Sequence, residues 1–168
     1  MKDKRALVGV VVGSDSDLPA MQRCLEQLQA LGVGFEVRVI SAHRTPDAAH
    51  RYAAAAERRG LKVIIAAAGM SAALAGVLAS KTTLPVIGVP MNAGPLEGVD
   101  AAVSALQMPP GVPVGCMSIG AAGATNAAIY AAAILAVGDR RLRVRLARFR
   151  KAQVRAVEAK DKAVRKKR

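Results

Sequence analysis

His43 and Arg44 stand side by side in "ISAHRTPD" (Ile40–Asp47), between an apolar run and an alanine-rich one. An imidazole exchanges a proton near neutral pH, and a guanidinium offers phosphate oxygens a planar, permanent cation. Ser41 and Thr45 add hydroxyls, although Thr45 before Pro46 and Asp47 is also a way to begin a helix. The chain has only two histidines. His50 sits inside "DAAHRYAAAAERR" and reads as a surface position on a helix. For His43 two readings stand: a loop histidine bonded to backbone, or a general acid–base.

A second loop, "VVVGSDSDLP", places Ser14, Asp15, Ser16 and Asp17 after Gly13, at a helix start. Backbone N–H groups and serine hydroxyls there suit a phosphate. The pattern is neither GxGxxG nor a Walker loop, which disfavours a dinucleotide or a triphosphate. Two aspartates repel a phosphate set against them, so one of them suits the hydrogen-bond donors of a ribose diol. Ordinary N-capping by Ser or Asp is the competing reading. "AAAGMSAALAG" (66–76) has backbone donors and almost no reactive side chain, so it can approach a ligand closely. Ser71 reads as a helix cap or a weak donor. The Pro- and Gly-bearing loops "GVPMNAGPLEG" and "QMPPGVPVG" read as rigid walls, with Met91 and Met108 as packing residues. No GxSxG elbow is present, and the two cysteines, Cys24 and Cys116, stand apart in no metal spacing.

These loops need a frame, and the segments between them supply one. "ALVGVVV" (6–12) is an apolar, β-branched run of the kind buried on both faces of a sheet. Further strands are expected at 35–40, 62–68, 84–90 and 112–119. Helices are expected at 18–31, 47–59, about 72–80, in "PLEGVDAAVSAL", in "GAAGATNAAIYAAAILA", and in a basic segment after Gly138. Strands alternating with helices through short loops imply right-handed crossovers and a parallel sheet. The predicted fold class is α/β: a three-layer doubly wound parallel sheet of about five strands, flavodoxin-like or Rossmann-like, with a C-terminal helical extension. Residues 1–138 would form the α/β body and 139–168 a basic helix and tail. Five unusual loops then share the carboxyl edge of the sheet, where ligands of such folds bind.

Composition narrows the class. Of 168 residues, 52% are hydrophobic but only 2% aromatic, so the core must be built from Ala, Val, Leu and Ile. Alanine packs helices closely, which predicts tight layers and extensive subunit contacts. The formal charge is +13, much of it after Gly138. The body shows no nucleic-acid motif and few aromatics for base stacking. The tail reads as a cationic, partly amphipathic helix with a fraying end, and polyanion binding through it as incidental rather than specific. Isolated cysteines suggest a reducing compartment and two buried small side chains. No signal-peptide pattern and no bilayer-spanning run is seen, so the expected location is cytoplasmic.

Together, "GSDSD", "SAHRTPD", "VIIAAAGMSAALAGVLASKTTLPVIGVP", "LEGVDAAVSALQMPPGVPVG" and "GAAGATNAAIYAAAILA" resemble the catalytic subunit family of bacterial aminoimidazole ribonucleotide carboxylase. These are the class I N5-carboxyaminoimidazole ribonucleotide mutases of de novo purine biosynthesis. The resemblance runs from residue 7 to about 155. It implies that the carboxylate of the N5-carboxylated ribonucleotide is moved to ring carbon C4. Ser14, Ser41 and Arg44 would hold the 5′-phosphate, and Asp17 the ribose hydroxyls. His43 would be the general acid–base. The loop from Ala68 to Leu74, including Gly69 and Ser71, would enclose CO2 and the carboxylate. No metal or organic cofactor is implied. A homo-octamer is implied, with the C-terminal helix reaching across neighbours, as is a functional link to the ATP-dependent synthetase that makes the substrate.

One loop departs from the class I pattern. Class I members commonly read "GGAAHLPG" or "GMAAHLAG" there, whereas this chain reads "GMSAALAG", with Ala73 at the histidine position. Class II members, which carboxylate aminoimidazole ribonucleotide directly with CO2, read like "GRSNALSG", with serine and alanine at the Ser71 and Ala73 positions. They also typically have "SAHK", whereas this chain keeps Arg44. The chain thus resembles class I overall with a CO2 loop closer to class II. Direct, reversible carboxylation is the alternative activity, and a ligand-binding paralogue without activity the third.

Overall fold

The computed structural model describes residues 5–166. In chain order the elements are β1 (Val8–Val12), α1 (Leu18–Ala30), β2 (Phe35–Val39), α2 (Pro46–Ala56), β3 (Val63–Ala68), α3 (Leu74–Ala79), β4 (Val86–Pro90), α4 (Val99–Leu106), β5 (Gly115–Cys116), α5 (Gly120–Ala136) and α6 (Arg140–Arg165). A short 3-10 turn, Asp15–Asp17, leads into α1. All strand pairs are parallel, in the order β2-β1-β3-β4-β5. That is the flavodoxin-like order, and it reverses direction between β1 and β3.

The central strands explain the layering. All five residues of β1 are buried, because helices cover both of its faces. Val8, Val10 and Val12 join Met21, Cys24 and Leu28 of α1 and the alanine face of α5 in one core. Val11 points the other way, into a core with Tyr52 of α2 and Leu74 and Leu78 of α3. Ala124, Ala127, Ala128, Ala131 and Ala132 are fully buried, so α5 lies close against the sheet without large side chains. Each fully buried Leu or Met contributes about 1.5–3 kcal/mol of transfer free energy. On the other face, a side chain at Gly88 would meet Ala105, Ala75 and Val114 within 3.1–3.4 Å, so α3 and α4 crowd that strand.

Several boundaries differ from the sequence expectation for physical reasons. The fourth helix begins at Val99 rather than in "PLEG", because Glu97 (φ 50) and Gly98 (φ 89) adopt left-handed backbone that a helix interior excludes. The fifth strand shrinks from 112–119 to Gly115–Cys116; Pro113 brings no N–H to a ladder at this sheet edge. Cys24 is buried, but Cys116 is only half-buried, and so is His50. The basic helix does not fray within the described residues: it runs to Arg165. Its start is fixed by Asp139, whose carboxylate accepts from the N–H groups of Arg141 and Leu142 at 2.8 and 3.0 Å. Those bonds, the Leu142 one foremost, hold the Asp139 carboxyl below the usual range. Among the described residues no helix is long and apolar enough to cross a membrane.

Candidate active site

The loop after β2 is closed by its own hydroxyls. Thr45 Oγ1 donates to Ser41 O at 2.9 Å and accepts from Ser41 N–H at 3.0 Å, while Thr45 N–H also donates to Ser41 O. Thr45 therefore ties the turn rather than capping α2, which has no side-chain cap. Ala42, His43 and Arg44 are left at the apex of a braced turn. Ser41 Oγ accepts from Arg44 N–H at 3.2 Å and from Arg44 Nε at 3.4 Å, and Arg44 Nη2 donates to Gly13 O at 3.4 Å. These contacts aim the guanidinium toward the β1 loop and leave most of its five N–H donors for an anion. The His43 ring is exposed and makes no hydrogen bond among the described residues, so the backbone-bonded reading of it does not hold.

The β1 loop is a capping structure as well as a wall. Ser14 Oγ accepts from Ser16 N–H at 3.3 Å and from Ser16 Oγ at 2.9 Å, so Ser14 caps the short turn, as the capping reading of this loop allows. Asp17 is only 9% exposed. Its carboxyl is raised above the ordinary value by burial, aided by the nearby Asp15 charge and opposed by a hydrogen bond with the Ser14 backbone. A carboxylate so poorly hydrated gains more than a surface one from donors that a ligand brings.

The third wall follows β3. Met70 takes a positive φ of 55, which turns the chain sharply before α3. Ser71 caps nothing: Ala73 occupies the N-cap position of α3 without a side-chain bond. Of its two readings the cap does not hold: the turn at Met70 leaves the serine exposed beside the cavity. A Cβ at Gly69 would lie 2.6 Å from Ala93 Cβ, so this loop presses on the one after β4.

The three loops enclose one open cavity of about 410 Å3 at the carboxyl edge, across the β1/β3 reversal. Every residue to which the resemblance gives a site role lines it: His43, Ser14, Asp17, Ser41, Arg44, Ala68, Gly69, Ser71 and Leu74; Asp15 and Thr45 do not. Ser16, named with the β1 loop but given no separate role, and Ala93 line it too. Ala93 belongs to a loop read as wall, which is how it acts. The fifth loop, "GAAGATN", supplies no lining residue. A larger cavity of about 570 Å3 opens at the start of β4 and β5, but its lining has no acid, no cation and no imidazole. No group of three His, Cys, Asp or Glu placed to hold a metal occurs among the described residues.

The cavity gathers a guanidinium, serine hydroxyls, a buried carboxyl and an exposed imidazole. The AIR carboxylase family model matches residues 7–156. The chain belongs to the AIR carboxylase family. It is 47% identical over 162 residues to the N5-carboxyaminoimidazole ribonucleotide mutase of Pyrococcus horikoshii, covering 96% of this chain and 90% of that one. It is 49% identical over 152 residues to the Escherichia coli K12 protein of the same name, covering 90% of each. A Dictyostelium discoideum bifunctional purine synthesis protein, purC/E, is 50% identical over 151 residues, which is 90% of this chain but 15% of that protein. The crystal structure of Treponema denticola PurE superposes with a TM-score of 0.83 at 25% identity, covering 95% of this chain and 98% of that one. Within this family site, His43 is the only imidazole lining the cavity, because Ala73 stands on the opposite wall and His50 lies outside.

Proposed function

We propose that this member of the AIR carboxylase family is an N5-carboxyaminoimidazole ribonucleotide mutase of de novo purine biosynthesis, moving the substrate's carboxylate from N5 to C4. The observation that carries this reading is the cavity at the β1/β3 reversal. It joins a phosphate-binding cation, a buried carboxylate, one unbonded imidazole and a small-residue wall.

In this reading Arg44, Ser41 and Ser14 bind the 5′-phosphate, and Asp17 accepts from the ribose hydroxyls. The aminoimidazole then lies toward His43 and the loop from Ala68 to Leu74. Protonated His43 gives its proton to N5 as the carbamate C–N bond breaks and CO2 is released. C4 attacks the retained CO2, forming the C–C bond. His43 then takes the C4 proton and is ready for the next turnover. The balance closes without redox change or a co-reactant. Gly69, Ala72, Ala73 and Leu74 give CO2 an apolar wall, which keeps it from escaping between the two steps.

A specific observation favours a second reading. With Ser71 and Ala73 in the wall, the loop matches the pattern of direct carboxylases, for which CO2 itself is the substrate. Supplying the N5-carboxylated ribonucleotide without bicarbonate, and separately aminoimidazole ribonucleotide with high bicarbonate, decides between them. The mutase reading expects turnover in the first assay; turnover only in the second would replace it.

The same reading assigns the catalytic body to residues 1–138 and a packing role between subunits to 139–168. The reading includes assembly as a homo-octamer; that subunits associate at all is supported by Val99, Val103 and Leu106, which line one face of α4 and are 58%, 53% and 68% exposed. A cytoplasmic setting and an ATP-dependent N5-carboxylating synthetase upstream complete the proposal.

A further inference from the structure

Residues 139–168 hold 14 of the chain's 25 Lys and Arg but only 3 of its 12 Asp and Glu. The first turns of α6 are committed to the domain. Leu142 is buried in the core, with Leu146 and Phe149 packed against it. Arg143 donates to the carbonyls of Ala136 and Val137, and Arg145 to that of Leu31 at 2.7 Å. From Arg150 to Lys166 every residue is exposed.

Four of the seven cations from Arg150 to Lys166 form an ordered row with Arg148 just before them, while Arg150, Lys160 and Arg165 lie off it. At about 100° per residue, Arg148, Lys151, Arg155, Lys162 and Lys166 fall within an arc of about 60° and span roughly 27 Å. The row faces away from Leu142, Leu146 and Phe149, so a subunit covering that apolar side leaves it open. None of the five makes an ion pair or a side-chain hydrogen bond among the described residues. Glu158 lies on the flank of the row, and Asp161 is tied to Arg165 at 2.9 Å.

We propose that this row docks the phosphate backbone of double-stranded nucleic acid without reading its sequence. What the sequence alone reads as incidental affinity is, on the helix, a straight cationic ridge. A duplex carries one charge per about 1.7 Å of axis, so the ridge can lie along about 16 phosphates. The absence of aromatic residues after Phe149 removes base stacking and leaves the backbone as the target. An anionic membrane is the poorer match. The apolar side of the free half holds only Ala and Val, and Gln153 and Lys160 interrupt it, so it lacks the bulky residues that anchor interfacial helices.

The test is fluorescence anisotropy of the full chain with labelled 30-base-pair DNA and RNA duplexes of mixed sequence, in 50–200 mM KCl. Five phosphate contacts predict a log–log salt slope of about −4.5 or steeper, which is at least about a 500-fold loss of affinity across that range. Similar slopes on both duplexes support backbone recognition. The variant R148Q/K151Q/R155Q/K162Q/K166Q should flatten the slope by about 4.5. The charge-matched control R23Q/R38Q/R51Q/R58Q/K81Q should keep the wild-type slope. A wild-type slope under half the expected size would overturn the proposal, whatever the variants do. So would equal losses in both variants, or tighter binding to phosphatidylserine vesicles than to either duplex.

Discussion

Gly69→Ala adds one methyl where two site loops meet. Gly69 is not in the left-handed region, so alanine is allowed by the backbone and the effect must come from contact. The new Cβ would stand 2.6 Å from Ala93 Cβ, with Met91 O and Met91 Cβ at ordinary distances of 3.5 and 3.6 Å. Carbon atoms sit comfortably at about 3.5–4.0 Å. The loop after β3 must therefore part from the loop after β4 by about 1 Å. Overpacking of this size typically costs about 1–3 kcal/mol of stability. Because the loop also walls the cavity, a displacement of about 1 Å is expected to lower turnover about 100-fold. Steady-state turnover and urea unfolding of three variants check this. Gly69→Ala should lose activity, Ala93→Gly alone should stay close to wild type, and the double variant should recover most of the loss by removing the opposing methyl. A single variant within threefold of wild type, or a double variant no better than the single, would refute the contact argument.

Arg44→Gln removes the charged fork and should weaken ribonucleotide affinity about 10–100-fold, with a smaller change in kcat. The 5′-dephosphorylated ribonucleoside should bind wild type and variant alike; if it separates them, Arg44 serves something other than the phosphate. Asp17→Asn tests the buried carboxyl by pH. Its folded pKa is raised above 3.8, chiefly by burial, so the charged form weakens the ligand-free fold once pH exceeds the folded pKa. Ligand-free Asp17→Asn should therefore melt higher than wild type at pH 7.5, with the gap closing as pH falls toward 3.8, while ribonucleotide affinity drops. A pH-independent difference in Tm would contradict this.

The alternation of strands and helices was legible because the strand runs are short, apolar and β-branched, while the helices keep a 3.6-residue spacing. The range 120–136 for α5 matches that expectation to the residue. Where backbone geometry decides, the sequence pattern gave less. The left-handed pair Glu97–Gly98 shortens α4, and β5 is only two residues long, with Pro113 interrupting its N-terminal side. The chemistry of the site was legible for a related reason: in a doubly wound fold the loops after β1, β2 and β3 must meet at the reversal. Their meeting point depends on loop shape as well as residue type. The two readings of Ser71, cap or weak donor, therefore could not be separated from sequence, because the turn at Met70 cannot be seen in "AGMSAA". Likewise, the fifth loop shares the sheet edge with the others yet supplies no residue to the cavity.

The central claim is that His43 moves protons for a ligand that other residues hold. The direct measurement is His43→Asn, with ribonucleotide binding by calorimetry and turnover by substrate conversion on the same preparation. The exposed, unbonded ring predicts a dissociation constant within about threefold of wild type, and general acid–base catalysis predicts at least about a 100-fold loss of turnover. Turnover that survives in a variant still binding its ribonucleotide would contradict the account.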